Sequence, residues 1–202
     1  MNLHIINLKR REDRWQRCKL LPFELERFEA IDGMEHPLLA NKQNNGAVHC
    51  AISHLLLLQA LLKRDETFFL IGEDDLEIID LGKIQACIQE FASSNYDVCN
   101  LGFNPIWKPV FGEQTETLEG VISGPTLTTH LYAIKKEAIP KLIKAIKFCI
   151  ESMMNGAPLY THACDHAWGL DPTIRRCVPK NIRSDSDVIC RQYASKSDIA
   201  LV

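Results

Sequence analysis

The sequence has no long uninterrupted hydrophobic run and no excess of positive charge. Its longest apolar stretch, residues 55–62, is broken by Gln59 and is far shorter than the roughly 20 residues that a membrane-spanning helix needs. The 23 Lys and Arg residues are outnumbered by 26 Asp and Glu, so the formal net charge is −3. No overall basic field is therefore available to hold nucleic acid by phosphate contacts.

Paired cysteines and an export signal are also lacking. The eight cysteines include no Cys-x-x-Cys pair, and several lie within apolar segments, which is typical of reduced, buried thiols. Positive charge at residues 9–11 follows the first apolar stretch instead of preceding it, and no small-residue cleavage site follows. We therefore expect a cytoplasmic protein. The cytoplasmic face of a membrane, with peripheral contact, and the host cytoplasm for a viral protein are compatible with this expectation.

The chain does contain enough apolar material for one mixed α/β domain. Of its 202 residues, 46% are apolar and 24% are charged, within the ordinary range of globular proteins. Apolar runs predict strands at residues 3–8 and 67–71, alternation of apolar and charged residues predicts one at 27–31, and residues 96–101 and 129–134 also read as strands. Helical patterns predict helices at 47–64, 84–91 and 135–150. The polar segment 41–46 is interpreted as a mobile loop and residues 103–120 as an irregular region. The order of elements favours a single domain.

Three consecutive carboxylates, Glu73, Asp74 and Asp75, follow the buried strand predicted at residues 67–71. Open α/β sheets bind ligands beyond the carboxyl ends of their strands, and like charges this close together need a cation or several donors to stay ionised. Mg²⁺ and Mn²⁺ prefer oxygen ligands. Glu73 and Asp75, two positions apart, are the expected metal pair. An ordinary acidic turn at the strand end is the alternative.

Basic residues surround the junction between the first strand and the next helical segment. Arg10, Arg11, Arg14 and Arg17 stand where guanidinium groups and free backbone N–H groups can meet a diphosphate. The alternative is a solvated helix face with Glu12 and Asp13 as ion-pair partners.

The histidines give weaker signals. His49 and His54 point in different directions on a helix, so we do not expect them to share a metal. His54 is either a polar group at the site or a core histidine with its own partner. His162 and His166 have a spacing that suits zinc on a helix, but no third ligand accompanies them, and a single contact from Asp165 or His166 is the favoured interpretation.

Short segments follow one another along nearly the whole chain: 6–14 (INLKRREDR), 28–33 (FEAIDG), 46–54 (GAVHCAISH), 70–75 (LIGEDD), 131–138 (LYAIKKEA), Asp165 and 197–199 (SDI). In this order they resemble glycosyltransferase family 25, which includes lipopolysaccharide galactosyltransferases and procollagen galactosyltransferases. The resemblance implies a single GT-A-type, Rossmann-like α/β domain over residues 1–202, with a mixed central sheet flanked by helices. The donor-binding part would cover about 1–102 and the acceptor and C-terminal part about 103–202.

The resemblance also implies an activity and roles for individual residues. It implies a metal-dependent, inverting transfer of galactose or glucose from a UDP-sugar to a hydroxyl of a glycan, lipopolysaccharide or protein acceptor. Glu73 and Asp75 would bind Mn²⁺ or Mg²⁺, and the catalytic candidates are Asp165 as base and Asp74 on ribose or sugar hydroxyls. The expected nucleotide-sugar contacts are Asn7, Leu8, Arg10, Arg14, Asp32, Ser53 and His54.

Two residues depart from the family pattern. His49 stands where a glycine is usual and adds bulk near the site, and Gly72 stands where an aliphatic residue is usual and is expected to loosen the strand end. A family relative that binds a nucleotide sugar or glycan without transfer is therefore the second hypothesis. A metal-dependent phosphohydrolase or nucleotidyltransferase is the third, and the sequence contains no Gly-rich phosphate loop to support it.

Overall fold

A mixed β-sheet runs through the computed structural model, with helices on both of its faces. The structure describes residues 2–35, 37–38, 42–105, 114–117, 120–123, 126–158, 162–167, 171–179 and 188–193, with side chains described except at 42–44, 103–105, 114–117, 120–123, 126–128 and 166. Among these residues, no helix combines the length and the apolar character that crossing a membrane requires.

The main sheet contains eight of the ten described strands. The strands are β1 (Asn2–Leu8), β2 (Glu24–Ala30), β3 (Phe68–Glu73), β4 (Leu76–Ile78), β5 (Val98–Pro105), β6 (Gln114–Thr117), β7 (Gly120–Ser123), β8 (Thr126–Lys135), β9 (Arg176–Val178) and β10 (Cys190–Gln192). The main sheet has the order β2-β1-β3-β8-β5-β9-β6-β7, and β4 pairs with β10 in a small second sheet. Strand β1 is parallel to β2 and β3, whereas β8 is antiparallel to β3 and β5.

In the described part of the chain, four α-helices connect and cover these strands. They are α1 (Glu12–Cys18), α2 (Lys42–Leu61), α3 (Leu81–Ser93) and α4 (Ile139–Met154). There are also two short 3₁₀ helices among the described residues. Lys136–Ala138 precedes α4, and Cys164–His166 lies close to α2. Pro140 stands in the first turn of α4, where its missing N–H has no helical partner to lose.

Successive residues of the central strands feed two separate apolar cores. In β3, Phe69 and Ile71 pack in the core that includes residues of α2 and α4, whereas Leu70 packs in the core that includes residues of α3. This alternation follows from the strand period of two residues. Because both faces of β3 are buried, its sequence is apolar without interruption, as expected for a strand covered on both sides. The predicted mixed α/β architecture is confirmed.

Two predictions about irregular segments are wrong in part. Helix α2 begins at Lys42, within the predicted loop 41–46, and the Asn45 side chain within it accepts a hydrogen bond from the Leu38 N–H at 2.7 Å. That hydrogen bond joins Leu38, which lies before the helix, to Asn45 within it, so the periodicity of the sequence could not reveal it. The predicted irregular region 103–120 contains the end of β5, all of β6 and the start of β7. Its residues 106–113 and 118–119, and the tail segment 197–199, lie outside the described residues.

Gly72 does not loosen the end of β3. It is paired with Ile5 of β1 on one side and with Leu131 of β8 on the other. A Cβ atom at this position would lie 3.1 Å from Ile5 Cδ1 and 3.3 Å from the His130 carbonyl oxygen. The glycine is therefore explained by close packing around a fully paired strand, and the expectation of a weakened strand end is wrong.

The parallel strands β1, β2 and β3 end at the same edge of the sheet. Register pairs Leu8 with Ala30 and Ile6 with Glu73. The residues that follow the three strands are consequently neighbours, although they are far apart in sequence. This edge contains most of the polar residues that the sequence singles out.

Candidate active site

Asp74 holds the edge of the sheet together. Its Oδ2 accepts a hydrogen bond of 2.7 Å from Asn7 Nδ2 at the end of β1, and its Oδ1 accepts one of 2.6 Å from Arg14 Nη1 on α1. All three side chains are nearly fully buried. Both carboxylate oxygens of Asp74 are thus engaged with protein donors, and its predicted contact with sugar hydroxyls stays a prediction.

Asp75 is the least compensated of the three carboxylates. Its Oδ2 lies 3.7 Å from Arg14 Nη1, and no hydrogen-bond donor in the described part of the chain reaches its buried Oδ1. Burial, followed by the charge of Glu73, raises the pKa of Asp75 to about 7, and Arg14 only partly opposes this. A bound cation would compensate the buried negative charge of Asp75 and so favour its ionised form.

Glu73 ends β3 and is hydrogen-bonded on its Oε1. Thr129 Oγ1 donates to this oxygen, and His54 Nε2 lies 3.2 Å from it. Burial by itself raises the pKa of Glu73, but the hydrogen bond and charge of His54, together with the Thr129 hydroxyl, lower it below its usual value. These contacts favour the ionised form of Glu73.

His54 is fully buried in α2 and has partners on both ring nitrogens. Besides Glu73, it contacts the Tyr132 hydroxyl through Nδ1 at 3.0 Å. These contacts fit both interpretations of His54, a polar group at the site and a core histidine with its own partners. Sequence reasoning did not find Thr129 or Tyr132. Strand β8 contains several other polar residues, so no sequence signal singled these two out.

Cys50 lies one helical turn before His54. The ligand atoms of Cys50, His54 and Glu73 all lie within 4.8 Å of one another, which makes them a group able to hold a metal ion. Burial raises the pKa of the Cys50 thiol well above its usual value, and the charges of Glu73 and Asp165 add to this effect. None of the eight cysteines forms a disulfide, and Cys50 is the one that is not fully buried.

Asp32 follows the end of β2, and Ser53 of α2 contacts the same place. Asp32 forms an ion pair with Arg10 and accepts a hydrogen bond of 2.9 Å from the Met34 N–H. Burial raises the pKa of Asp32, but these two donors lower it below its usual value. Ser53 Oγ accepts from the Ile31 N–H at 2.9 Å, which ties α2 to the end of β2.

Leu8 and His49 lie next to the site and make hydrogen bonds to backbone groups. The carbonyl oxygen of Leu8 accepts a hydrogen bond of 2.9 Å from the Arg11 N–H, which shapes the turn before α1. His49 Nδ1 lies 2.7 Å from the Asn45 carbonyl oxygen. A Cβ atom on Gly33 would lie 2.8 Å from His49 Nδ1, so the added bulk of His49 is accommodated by a glycine that follows β2.

Asp165 lies on the second 3₁₀ helix and is half-buried. Burial is the main reason why the pKa values of Cys50 on α2 and Cys149 on α4 are raised, and the negative charge of Asp165 raises both further. The pKa of Cys149 reaches about 12. Asp165 therefore lies on the side of the sheet covered by α2 and α4, near Cys50. His162 contacts Phe148 with ring centroids 6.1 Å apart, and the side chain of His166 lies outside the described residues.

The parallel β2-β1-β3 edge, the antiparallel β8 beside it and the helices on both faces form a mixed α/β fold of the GT-A-like type, as comparison with solved structures shows. The structure is similar to a glycosyltransferase involved in the glycosylation of the major capsid of PBCV-1. The TM-score is 0.52 at 12% sequence identity, over 98% of this chain and 94% of that one. At this identity the similarity shows the fold alone.

Two further solved structures match at lower scores that carry no functional argument. Mouse xyloside xylosyltransferase 1 in its apo form gives a TM-score of 0.44 at 13% identity, over 83% of this chain and 66% of that one. The 4-diphosphocytidyl-2C-methyl-D-erythritol synthase of Anaerococcus prevotii gives 0.45 at 9% identity, over 97% of this chain and 77% of that one. No protein-family model matches the sequence, and no curated protein matches it.

Proposed function

We propose that the protein is a metal-dependent, inverting glycosyltransferase related to family 25, which transfers galactose or glucose from a UDP-sugar to an acceptor hydroxyl. The observation that carries this proposal is the buried Oδ1 of Asp75, which lies beside Glu73 at the carboxyl edge of β3 without a donor from the described part of the chain. In open α/β sheets this is the edge where ligands bind. The acceptor would be a glycan, a lipopolysaccharide or a protein.

The residues present fit a hard divalent cation. Glu73 and Asp75 supply carboxylate oxygens, the ligand type that Mn²⁺ and Mg²⁺ prefer. The raised pKa of Asp75, to about 7, reflects burial and the nearby charge of Glu73, and a cation held by both residues would lower it. When bound, the ion neutralises negative charge on the departing UDP.

Asn7 is suited to contact the nucleotide. Its Nδ2 donates to two acceptors, the Arg11 carbonyl at 3.2 Å and Asp74 Oδ2 at 2.7 Å, which fixes the orientation of the amide. Its buried Oδ1 then remains as an acceptor that no donor in the described residues reaches. A ribose hydroxyl or the N–H of a uracil ring would satisfy it.

The charged residues around Asn7 complete the donor site. Arg10 and Asp32 form an exposed pair at the ends of the first two strands, where the guanidinium can turn from Asp32 to a diphosphate. Leu8 would contact the nucleotide by its backbone. Asp74 would act as a positioning residue, since it holds Arg14 and Asn7.

Asp165 is the proposed general base. Inversion requires a carboxylate that removes the proton of the acceptor hydroxyl as this oxygen attacks the anomeric carbon from the face opposite UDP. Besides burial, the negative charges of Glu73 and Asp165 both raise the pKa of Cys50. The two carboxylates are therefore both near Cys50. Ser53 and His54 support the site from α2, through Ile31 and Glu73 respectively.

The test is UDP release from UDP-galactose and UDP-glucose with Mn²⁺ and a panel of hydroxyl acceptors. We expect acceptor-dependent release by the wild type and loss of metal-dependent UDP binding in Asp75→Ala. Asp65→Ala, which removes an exposed carboxylate in the turn before β3, is the matched control and should bind UDP as the wild type does. Unchanged UDP affinity of Asp75→Ala in Mn²⁺ would overturn the proposal.

The same assay separates transfer from binding alone. UDP-sugar binding without turnover for every acceptor would favour the second hypothesis, a nucleotide-sugar-binding or glycan-binding module. A cytoplasmic location is part of the proposal, because cytoplasmic UDP-sugars would be the donor pool. Fractionation of cells that express the full-length protein would test it.

A further inference from the structure

Three potential ligands of different chemistry converge between α2 and β3. Cys50 and His54 are four residues apart on α2 and therefore lie on the same helix face, and Glu73 faces them from the end of β3. The thiol sulfur, an imidazole nitrogen and a carboxylate oxygen all lie within 4.8 Å of one another. Sequence reasoning considered His49 with His54 and did not consider Cys50 with His54.

The distances approach those of a tetrahedral site. Ligands at about 2.0–2.1 Å from zinc are separated by about 3.3 Å, and a sulfur ligand at about 2.3 Å lies about 3.6 Å from a nitrogen or oxygen ligand. His54 Nε2 and Glu73 Oε1 are already 3.2 Å apart. The Cys50 sulfur lies within 4.8 Å of both atoms, and rotation about its single side-chain bond moves it without moving the backbone.

His54 and Glu73 also have the kind of hydrogen-bond partners that orient metal ligands, His54 on its second ring nitrogen and Glu73 on the same Oε1 that lies beside His54. A histidine that binds a metal through one nitrogen donates the N–H of the other to an oxygen, and the Tyr132 hydroxyl is 3.0 Å from Nδ1 of His54. Thr129 donates to the Glu73 carboxylate. Tyr132 and Thr129 both come from β8, so the ligands are oriented by a neighbouring rigid strand.

The surroundings favour a cation and leave a route for it. The charges of Glu73, Asp165 and Asp75 all act on Cys50. His54 is fully buried, but Cys50 is only half-buried and the Glu73 side chain is 19% exposed. A cation can therefore enter from the side where the Glu73 carboxylate is accessible.

We propose that Cys50, His54 and Glu73 form a binding site for Zn²⁺, with a fourth position left for water or another ligand. Thiolate and imidazole ligands select zinc over the hard ions Mg²⁺ and Mn²⁺, so this site differs in chemistry from the one at Glu73 and Asp75. On binding, the Cys50 thiol gives its proton to the buffer, and His54 carries its remaining proton on Nδ1, which donates to the Tyr132 oxygen.

Cobalt substitution tests the site without any assay of activity. Co²⁺ added to the full-length protein should produce a thiolate-to-cobalt charge-transfer band and the intense visible bands of a tetrahedral ion, and Zn²⁺ should abolish both. Cys50→Ser should remove the charge-transfer band and weaken Zn²⁺ binding by about 100-fold or more, whereas Tyr132→Phe should weaken it by roughly 10-fold. Cys87→Ser, which replaces a buried thiol on α3 in the other core, should leave both unchanged.

Two results would overturn the zinc site. One is a wild-type cobalt spectrum without a thiolate band, and the other is equal Zn²⁺ affinity for Cys50→Ser and the wild type. Circular dichroism of each variant before metal addition shows whether it is folded. Glu73→Gln keeps the size of the side chain, and retention of full Zn²⁺ affinity by this variant would contradict the assignment of Glu73.

Shared use of Glu73 couples the two metals, and this part rests on the proposed function. Electron paramagnetic resonance of free Mn²⁺ should show that Zn²⁺ displaces Mn²⁺ from the wild type and displaces less from Cys50→Ser. If Co²⁺ binds at the thiol but the protein binds no Mn²⁺, the zinc site is supported, and the Mn²⁺ site proposed at Glu73 and Asp75 is contradicted. Mn²⁺ binding that Zn²⁺ leaves unchanged would contradict the coupling.

Discussion

Asp75 carries its charge where burial and two neighbouring carboxylates disfavour ionisation. Its pKa is raised from 3.8 to about 7, with burial as the largest cause and Glu73 as the next. In the unfolded chain this carboxyl group loses its proton near pH 4. Between these two pH values the folded state binds more protons than the unfolded state, so the free energy of unfolding falls as pH rises. Above pH 7 this loss of stability is constant.

Replacement of Asp75 by Asn should remove this pH dependence. We expect Asp75→Asn to be more stable than the wild type at pH 8 in a chelator, by an amount on the order of 2–4 kcal/mol, and to differ little at pH 4. Chemical denaturation at a series of pH values measures this. Asp65→Asn should follow the wild-type curve, and identical curves for Asp75→Asn and the wild type would show that Asp75 ionises normally.

Gly102 is required by the packing of a buried histidine. A Cβ atom at this position would overlap the His130 ring and lie 2.9 Å from Cys190 Sγ. Because His130 is fully buried in the sheet, the ring cannot easily move away. Gly102→Ala should lower the free energy of unfolding by about 1–3 kcal/mol through overpacking.

Gly82 provides the control for that substitution. It lies in the first turn of α3, where a new Cβ atom would meet only Asp80 Oδ1 at 3.5 Å. Gly82→Ala should be neutral or stabilising by up to about 1 kcal/mol, since alanine favours the helix. Urea unfolding of both variants compares them, and a Gly102→Ala protein as stable as Gly82→Ala would show that His130 can move.

At the scale of elements, α3 begins with a side-chain cap. Asp80 Oδ1 accepts a hydrogen bond of 2.9 Å from the Lys83 N–H, which satisfies one of the amide groups left without a helical partner. The helix then packs its apolar face, with Ile84, Ile88 and Phe91, against the sheet. The cap thus fixes where the helix starts, and the core fixes which face is buried.

Removal of this cap should destabilise the protein modestly. Asp80→Ala is expected to lower the free energy of unfolding by about 1 kcal/mol, and Asp80→Ser should retain most of the stability because serine also caps helices well. Thermal denaturation monitored by circular dichroism distinguishes the two. Equal midpoints for the Ala and Ser variants would mean that the Lys83 hydrogen bond contributes nothing measurable.

At the scale of the whole molecule, donor binding should stabilise the fold. A ligand that binds only the folded state at 100 times its dissociation constant adds about 2.7 kcal/mol to the free energy of unfolding. We expect UDP with Mn²⁺ to raise the melting temperature of the wild type and of Asp65→Ala, but not of Asp75→Ala. A shift of equal size in Asp75→Ala would contradict the placement of the metal at Asp75.

The linear pattern of residues by itself determined the class of fold and the main elements. Strand β3 is recognisable because burial on both faces demands continuous apolar residues, and α4 because apolar residues recur at the helical period. The edge of the sheet was predictable from the same kind of pattern, since Asp75 follows a continuous apolar run and Asp32 follows a segment in which apolar and charged residues alternate. These are local properties, and local patterns report them.

Tertiary structure alone decided which polar groups meet at that edge. Asp74 is hydrogen-bonded to Asn7 and Arg14, 67 and 60 positions away, because β1 and β3 are neighbours in the sheet. Thr129 and Tyr132 reach Glu73 and His54 only because β8 pairs antiparallel with β3. Strand order is a property of the whole chain, so the partners of each carboxylate, and hence which one remains available for a cation, emerge only when the sheet is assembled.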